Sequence, residues 1–219
     1  MVFLDREEAG RELAKKLKAY EKVVDVLVLG IPRGGVIVAF QVARELRAPL
    51  DVFVVRKLGV PGREELAFGA VASGGIRFLD NEIVEAAGIS DLEIELITAK
   101  ERQELERREI AYRGGRPPLA VQDQMVILVD DGIATGSSMQ AAITALRQMK
   151  PARVVVATPV APVSTCKRLG REVDELICVQ MPESFYATSE FYRNFAPVSD
   201  AEVTDLLGRI TRQPSASVV

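Results

Sequence analysis

The residues best equipped for chemistry lie between Val126 and Ser138, in the run VILVDDGIATGSS. Four apolar residues lead into two adjacent acids, Asp130 and Asp131. A short run of small residues and hydroxyls follows and opens a helix-like segment. Carboxylates at a strand end can accept both hydrogen bonds of a ribose diol, or help hold Mg²⁺ through water. Ala134, Thr135, Gly136, Ser137 and Ser138 are small, so their backbone N–H groups can approach an anion. The dipole of the helix beginning there favours phosphate. Consecutive strand residues point to opposite faces, so the two acids meet one ligand only where the strand is ending. The competing reading is a capped helix after a strand, with both acids in solvent.

Two further strand ends carry unusual residues. Gly30–Gly35 reads GIPRGG, a strand-to-helix turn with exposed N–H groups and one arginine. Arg33 and Gly34 there suit a second phosphate group. The turn is not GxGxxG, so the dinucleotide fingerprint fails, and a tight structural turn is the plain alternative. Arg56 and Lys57 follow the second strand and can neutralise a polyphosphate, or form a solvated basic edge. Together the three ends offer a diol-binding acid pair, a monophosphate cradle and a pyrophosphate clamp. Ligands of open parallel sheets bind beyond such carboxyl ends.

Composition narrows the chemistry. The chain of 219 residues has no histidine, which excludes a Ser-His-Asp triad, a Cys-His pair and any His-ligated metal. Acid–base work falls to Asp, Glu, Lys, Tyr or the substrate, and a metal must be an oxygen-liking cation such as Mg²⁺. Hydrophobic residues make up 48% and charged residues 27%, as in a globular protein. A net charge of −3 leaves no generalised basic surface, so no nucleic-acid partner is expected. No apolar run is long enough for a membrane span. The first residues turn acidic at once without a signal-peptide core, and Cys166 and Cys178 read as reduced thiols, so a cytoplasmic location is expected.

The elements that must position these residues follow from periodicity. Residues 5–20 have helical apolar spacing. Val23–Ile31 is a strand buried on both faces, a helix runs to about Ala48, and Leu50–Val55 is a second strand. Residues 58–75 are Gly-rich and read as a mobile loop leading into short antiparallel strands near Phe68–Ala72 and Ile76–Leu79. Asn81–Ala87 is a short helix. Ser90 and Glu93 form a capping-box pattern that opens a long charged helix to Arg113. Met125–Val129, Arg153–Thr158 and Glu175–Val179 are strands alternating with helices at 137–149 and 163–169. Asp200–Ile210 is a last helix and QPSASVV a frayed tail. The alternation argues for an α/β fold, a doubly wound parallel sheet flanked by helices. The expected organisation is a single domain over 1–219 with a helical insertion at 76–118 and a C-terminal segment at 182–198.

At these residues the chain resembles the type I phosphoribosyltransferases. The thirteen-residue segment is similar to their signature for 5-phosphoribosyl-1-pyrophosphate (PRPP), departing at Gly132, where an aliphatic residue is usual. PRGG, VVRKLG, the long charged helix and the aromatic C-terminal segment look most like a bacterial subgroup of the family. The resemblance implies that Asp130 and Asp131 bind the ribose hydroxyls and, with substrate, Mg²⁺. It implies that residues 134–138 cradle the 5′-phosphate, and that Arg33 and Gly34 lie in a pyrophosphate loop, with a cis peptide most expected at Pro32–Arg33. Arg56 and Lys57 would act on the pyrophosphate, and residues 58–75 would close over the site.

The implied reaction is displacement at ribose C1: pyrophosphate leaves and the nitrogen of a heterocyclic base attacks. In members acting on 6-oxopurines an Asp occupies the position of Ala134, which argues against that acceptor class. Glu65, with Glu64 beside it, can supply an acid or base on closure, or be plain solvated carboxylates. Phe185, Tyr186, Phe191, Tyr192 and Phe195 can hood a planar base, or fix the C-terminal segment. The alternative function is a PRPP-sensing regulator with little catalysis. A phosphoacceptor receiver is disfavoured because its acid pair follows the first strand. A homodimer is compatible with the family.

Overall fold

A strand that is apolar at every residue must be covered on both faces, and that requirement organises this chain. The computed structural model describes residues 1–117 and 119–211; the expected frayed tail lies outside the described residues. The chain runs through α1 (Arg6–Lys16), β1 (Val26–Gly30), α2 (Gly34–Leu46) and β2 (Leu50–Val52). It then leaves the parallel sheet as β3 (Val55–Val60), β4 (Arg63–Ala72), β5 (Ile76–Leu79), α3 (Asn81–Ala87) and α4 (Asp91–Arg113). It returns as β6 (Met125–Val129), α5 (Ser137–Gln148), β7 (Arg153–Val160), α6 (Val163–Leu169), β8 (Glu175–Gln180) and α7 (Asp200–Thr211).

The main sheet has five strands in the order β2-β1-β6-β7-β8, all parallel. Alternation splits each central strand between two cores. Val26, Val28, Ile127, Val129, Val155 and Ala157 face α1, α2, α4 and α7. Leu27, Leu29, Val126, Leu128, Val154 and Val156 face α5 and α6. From β1 the chain moves outward to β2 on one side, and from β6 outward to β8 on the other. The strand order therefore reverses between β1 and β6, and a crevice opens at their carboxyl ends. The parallel α/β architecture is the one expected from the alternating pattern. No helix among the described residues is long and apolar enough to cross a membrane.

The structure shows the antiparallel strands expected near Phe68–Ala72 and at Ile76–Leu79, and corrects the sequence reading of residues 50–67. The second parallel strand stops at Val52, because Val54 donates to the Ser73 hydroxyl at 3.0 Å and accepts from the Ser73 N–H at 2.9 Å. These bonds pull the chain into a separate antiparallel sheet, β3-β4-β5. The Gly-rich stretch read as a mobile loop is mostly paired strand. Gly62 (φ 74°) turns the β3–β4 hairpin, and Gly59 sits at its register shift, where a Cβ would lie 2.8 Å from the Glu64 carbonyl oxygen. Because β5 pairs with β4, the excursion from the parallel sheet begins at Val55 rather than at Ile76. α4 starts with the expected reciprocal cap between Ser90 and Glu93.

Ile127 lies at the centre of the sheet and is fully buried. Ile127→Ala should lower unfolding free energy by about 2–5 kcal/mol, read as a lower urea midpoint at unchanged slope.

Candidate active site

Both key turns converge at the crevice between β1 and β6. Ile31 donates to the Val129 carbonyl at 2.9 Å, which ties the end of β1 to the end of β6. The Pro32–Arg33 peptide is cis, and α2 begins directly after it. Asp130 and Asp131 lie where β6 ends, and the Asp130 carboxylate accepts the Asp131 N–H at 2.8 Å. A Cβ on Gly35 would come 2.9 Å from Asp130 Cα and Oδ1, and one on Gly34 would overlap the Asp131 carboxylate. Both acids thus press on the first turn of α2, the positive end of its dipole. Desolvation and then the neighbouring Asp131 charge push the Asp130 carboxyl well above the ordinary range.

The small-residue loop after the acids is held from behind. Gly136 caps α5 at φ 79°, and a Cβ there would meet the Arg168 guanidinium at 2.8 Å. The Thr165 hydroxyl donates to the Ala134 carbonyl at 2.8 Å, and Arg168 donates to the Thr135 carbonyl at 2.6 Å. Two carbonyls are thereby turned toward α6, while Ala134, Thr135 and Ser138 remain exposed on the other side. The Thr135 and Ser137 hydroxyls are 3.1 Å apart. The result is a braced loop of small residues at a helix N-terminus, a geometry able to receive an anion.

The charged candidates separate. Arg56 and Lys57 lie on β3, so they point to opposite faces. Lys57 Nζ is 3.5 Å from Ser137 Oγ, at the cradle. Arg56 is bound to Glu101 of α4 at 2.6 Å and faces away from it. Arg33 lies 3.8 Å from Asp200, at the start of α7. Glu65 borders an open cleft of about 820 Å³ that also reaches Ser137, Gln140 and Arg168. Glu64 lines a different groove, beside Arg56 and Lys100.

Sequence reasoning missed Arg6, Thr188 and the hydroxyl contact of Tyr192, which it had named only as an aromatic. Arg6 of α1 reaches the Asp131 carboxylate at 2.6 Å. The buried Tyr192 hydroxyl donates to the Asp131 carbonyl, and burial together with the Asp131 charge raises its pKa. Thr188 fills the space above Gly132. The Gly132 departure is thus a packing requirement: a side chain there would collide with Thr188. Among the C-terminal aromatics, Tyr192 packs with Phe3, Ala9 and Val160, and Phe191 and Phe195 pack against that cluster. Residues 3–4 pair with residues 191–194 through backbone hydrogen bonds at 2.8–2.9 Å. These aromatics therefore fix the segment, whereas Tyr186 is 87% exposed. The only sequence signal for Arg6 was a cation in the first turn of a helix, where acids are favoured.

Gly132→Val should lower stability by about 1–3 kcal/mol, and Thr188→Gly in the same chain should restore most of it, read by urea unfolding of both variants.

Comparison with known proteins agrees with this fold. Two curated Mycobacterium tuberculosis proteins (strains CDC 1551 / Oshkosh and ATCC 25618 / H37Rv) are provisionally named phosphoribosyl transferases. Each is 42% identical to the chain over 211 residues, or 96% of it. That match takes in 47% of each relative, so the chain spans about half the length of the curated proteins it resembles. The crystal structure of a Thermus thermophilus protein superposes with a TM-score of 0.84 at 41% identity, covering 94% of this chain and 98% of that one. The family described as the phosphoribosyl transferase domain matches residues 4–195, which include the acid pair, the cradle and the turn before α2, and the chain belongs to that family.

Proposed function

We propose that the chain binds PRPP with Mg²⁺ and transfers the 5-phosphoribosyl group to a ring nitrogen of a nucleobase or related heterocycle, releasing pyrophosphate. The observation that carries this reading is the convergence at one crevice of Asp130 and Asp131, the Gly34–Gly35 turn and the braced cradle at 134–138. The acids would accept the sugar hydroxyls, and the cradle would hold the 5′-phosphate. The α2 N-terminus, with Arg33 swung from Asp200, would receive the pyrophosphate.

The donor set fits Mg²⁺. Among the described residues no cluster of three or more acidic, cysteine or histidine side chains could cage a metal alone. Mg²⁺ is commonly held by one or two carboxylates together with substrate phosphates and water, which Asp130 and Asp131 can provide. Bound there, it would offset charge on the departing pyrophosphate. Breaking the C1–O bond builds oxocarbenium character at C1, as in glycoside hydrolysis. The chain's own part is to align that carbon with the incoming nitrogen and exclude water that would intercept it. Lys57, aimed at Ser137, adds positive charge at the phosphate end of the site.

Calorimetric titration of the full chain with Mg²⁺ and PRPP should give saturable binding, lost in Asp130→Asn/Asp131→Asn. A panel of bases should then contain one that drives pyrophosphate release. Binding with no release from any base would favour a sensor, and no binding would reject both. Lys57→Ala should weaken PRPP binding roughly ten- to a hundredfold, the loss of one charge-assisted bond. Arg56→Ala should act mainly on stability, because its partner is Glu101.

A further inference from the structure

We infer that Arg6 is a positioning residue for the sugar site: it fixes one oxygen of Asp131 and ties that carboxylate to the C-terminal segment over it. The inference rests on the PRPP reading above. Arg6 is only 8% exposed, and its guanidinium is engaged at Nε, at Nη1 and on one face. Nε donates to Asp131 Oδ2 at 2.6 Å, Nη1 donates to the Ala196 carbonyl at 2.9 Å, and Cζ lies 3.8 Å from the centre of the Phe195 ring. A Cβ on Gly34 would lie 2.8 Å from Arg6 Nε, so the cation also borders the turn before α2.

Its location argues against service to its own helix. Arg6 is the first residue of α1, directly after the Asp5 cap, where the dipole disfavours a cation and favours acids such as Glu7 and Glu8. The compensating charge is Asp131, 125 residues away in sequence. A planar guanidinium can donate along its edge while stacking on an aromatic ring, which an ammonium cannot do. With Oδ2 held by Arg6, Asp131 presents Oδ1 to one sugar hydroxyl in a single orientation. Because the same guanidinium holds Phe195 and Ala196, it links the C-terminal segment to Asp131.

The test is a double-mutant cycle on the full chain, with Mg²⁺ and PRPP as titrants in calorimetry. Arg6→Ala should weaken binding about tenfold. Asp131→Asn should weaken it at least as much, and the double variant no further than Asp131→Asn alone. Arg6→Lys should recover only part of the loss, and thermal melts should show each variant folded. If Arg6→Ala does not fold, Arg6→Lys carries the same cycle. Independent losses that multiply in the double variant would overturn the inference, because Arg6 would then act without Asp131. Binding by Arg6→Ala equal to wild type would overturn it while leaving the PRPP reading intact. Failure of the wild-type chain to bind PRPP would overturn both.

Discussion

The site depends on how closely the end of β6 approaches the first turn of α2. Two carboxylates are pressed against a helix N-terminus, and only glycine at positions 34 and 35 leaves room for them. The contact joins two glycine-permitted backbones to two charges that repel each other. It is tolerable because the positive end of the α2 dipole opposes their charge, Arg6 pairs with Asp131, and the Asp131 N–H donates to the Asp130 carboxylate. The reversal of strand order between β1 and β6 creates this meeting point, so topology and electrostatics act at the same place.

Around that contact the structure spends its polar groups on positioning. Thr165 and Arg168 take the carbonyls of the cradle, which turns the small-residue backbone toward solvent. Arg6 and Tyr192 hold Asp131 from its side chain and from its carbonyl. Such groups need not touch a ligand to matter, since a misplaced carboxylate or peptide loses the geometry that recognition requires. The candidate site of this phosphoribosyl transferase domain lies on strand ends and loops, and the helices behind them fix its geometry.

The α/β alternation and the parallel sheet were legible because strands buried on both faces read as unbroken apolar runs. The cap of α4 was legible because Ser90 and Glu93 are local. The antiparallel strands near Phe68–Ala72 and at Ile76–Leu79 were legible, but the stretch before them was misread because glycine marks both mobile loops and close strand crossings, and residue type alone does not distinguish them. The hydrogen bonds between Val54 and Ser73 settle the matter, and those residues lie 19 positions apart. Arg56 and Lys57 looked equivalent as a dipeptide. Once they form a strand, alternation sends one to Glu101 and the other to Ser137.

What the sequence determined by itself is the make-up of the candidate site: the acid pair, the small residues after it and the glycines before α2. Their chemistry is local, and each lies within a few residues of the turn that displays it. The tertiary structure alone decided which cation faces the cradle, why position 132 has no side chain, and that an arginine from the first helix grips Asp131. Those outcomes depend on contacts between segments distant in the chain. Local composition carries no information about such distances; packing of the two cores against the sheet sets them.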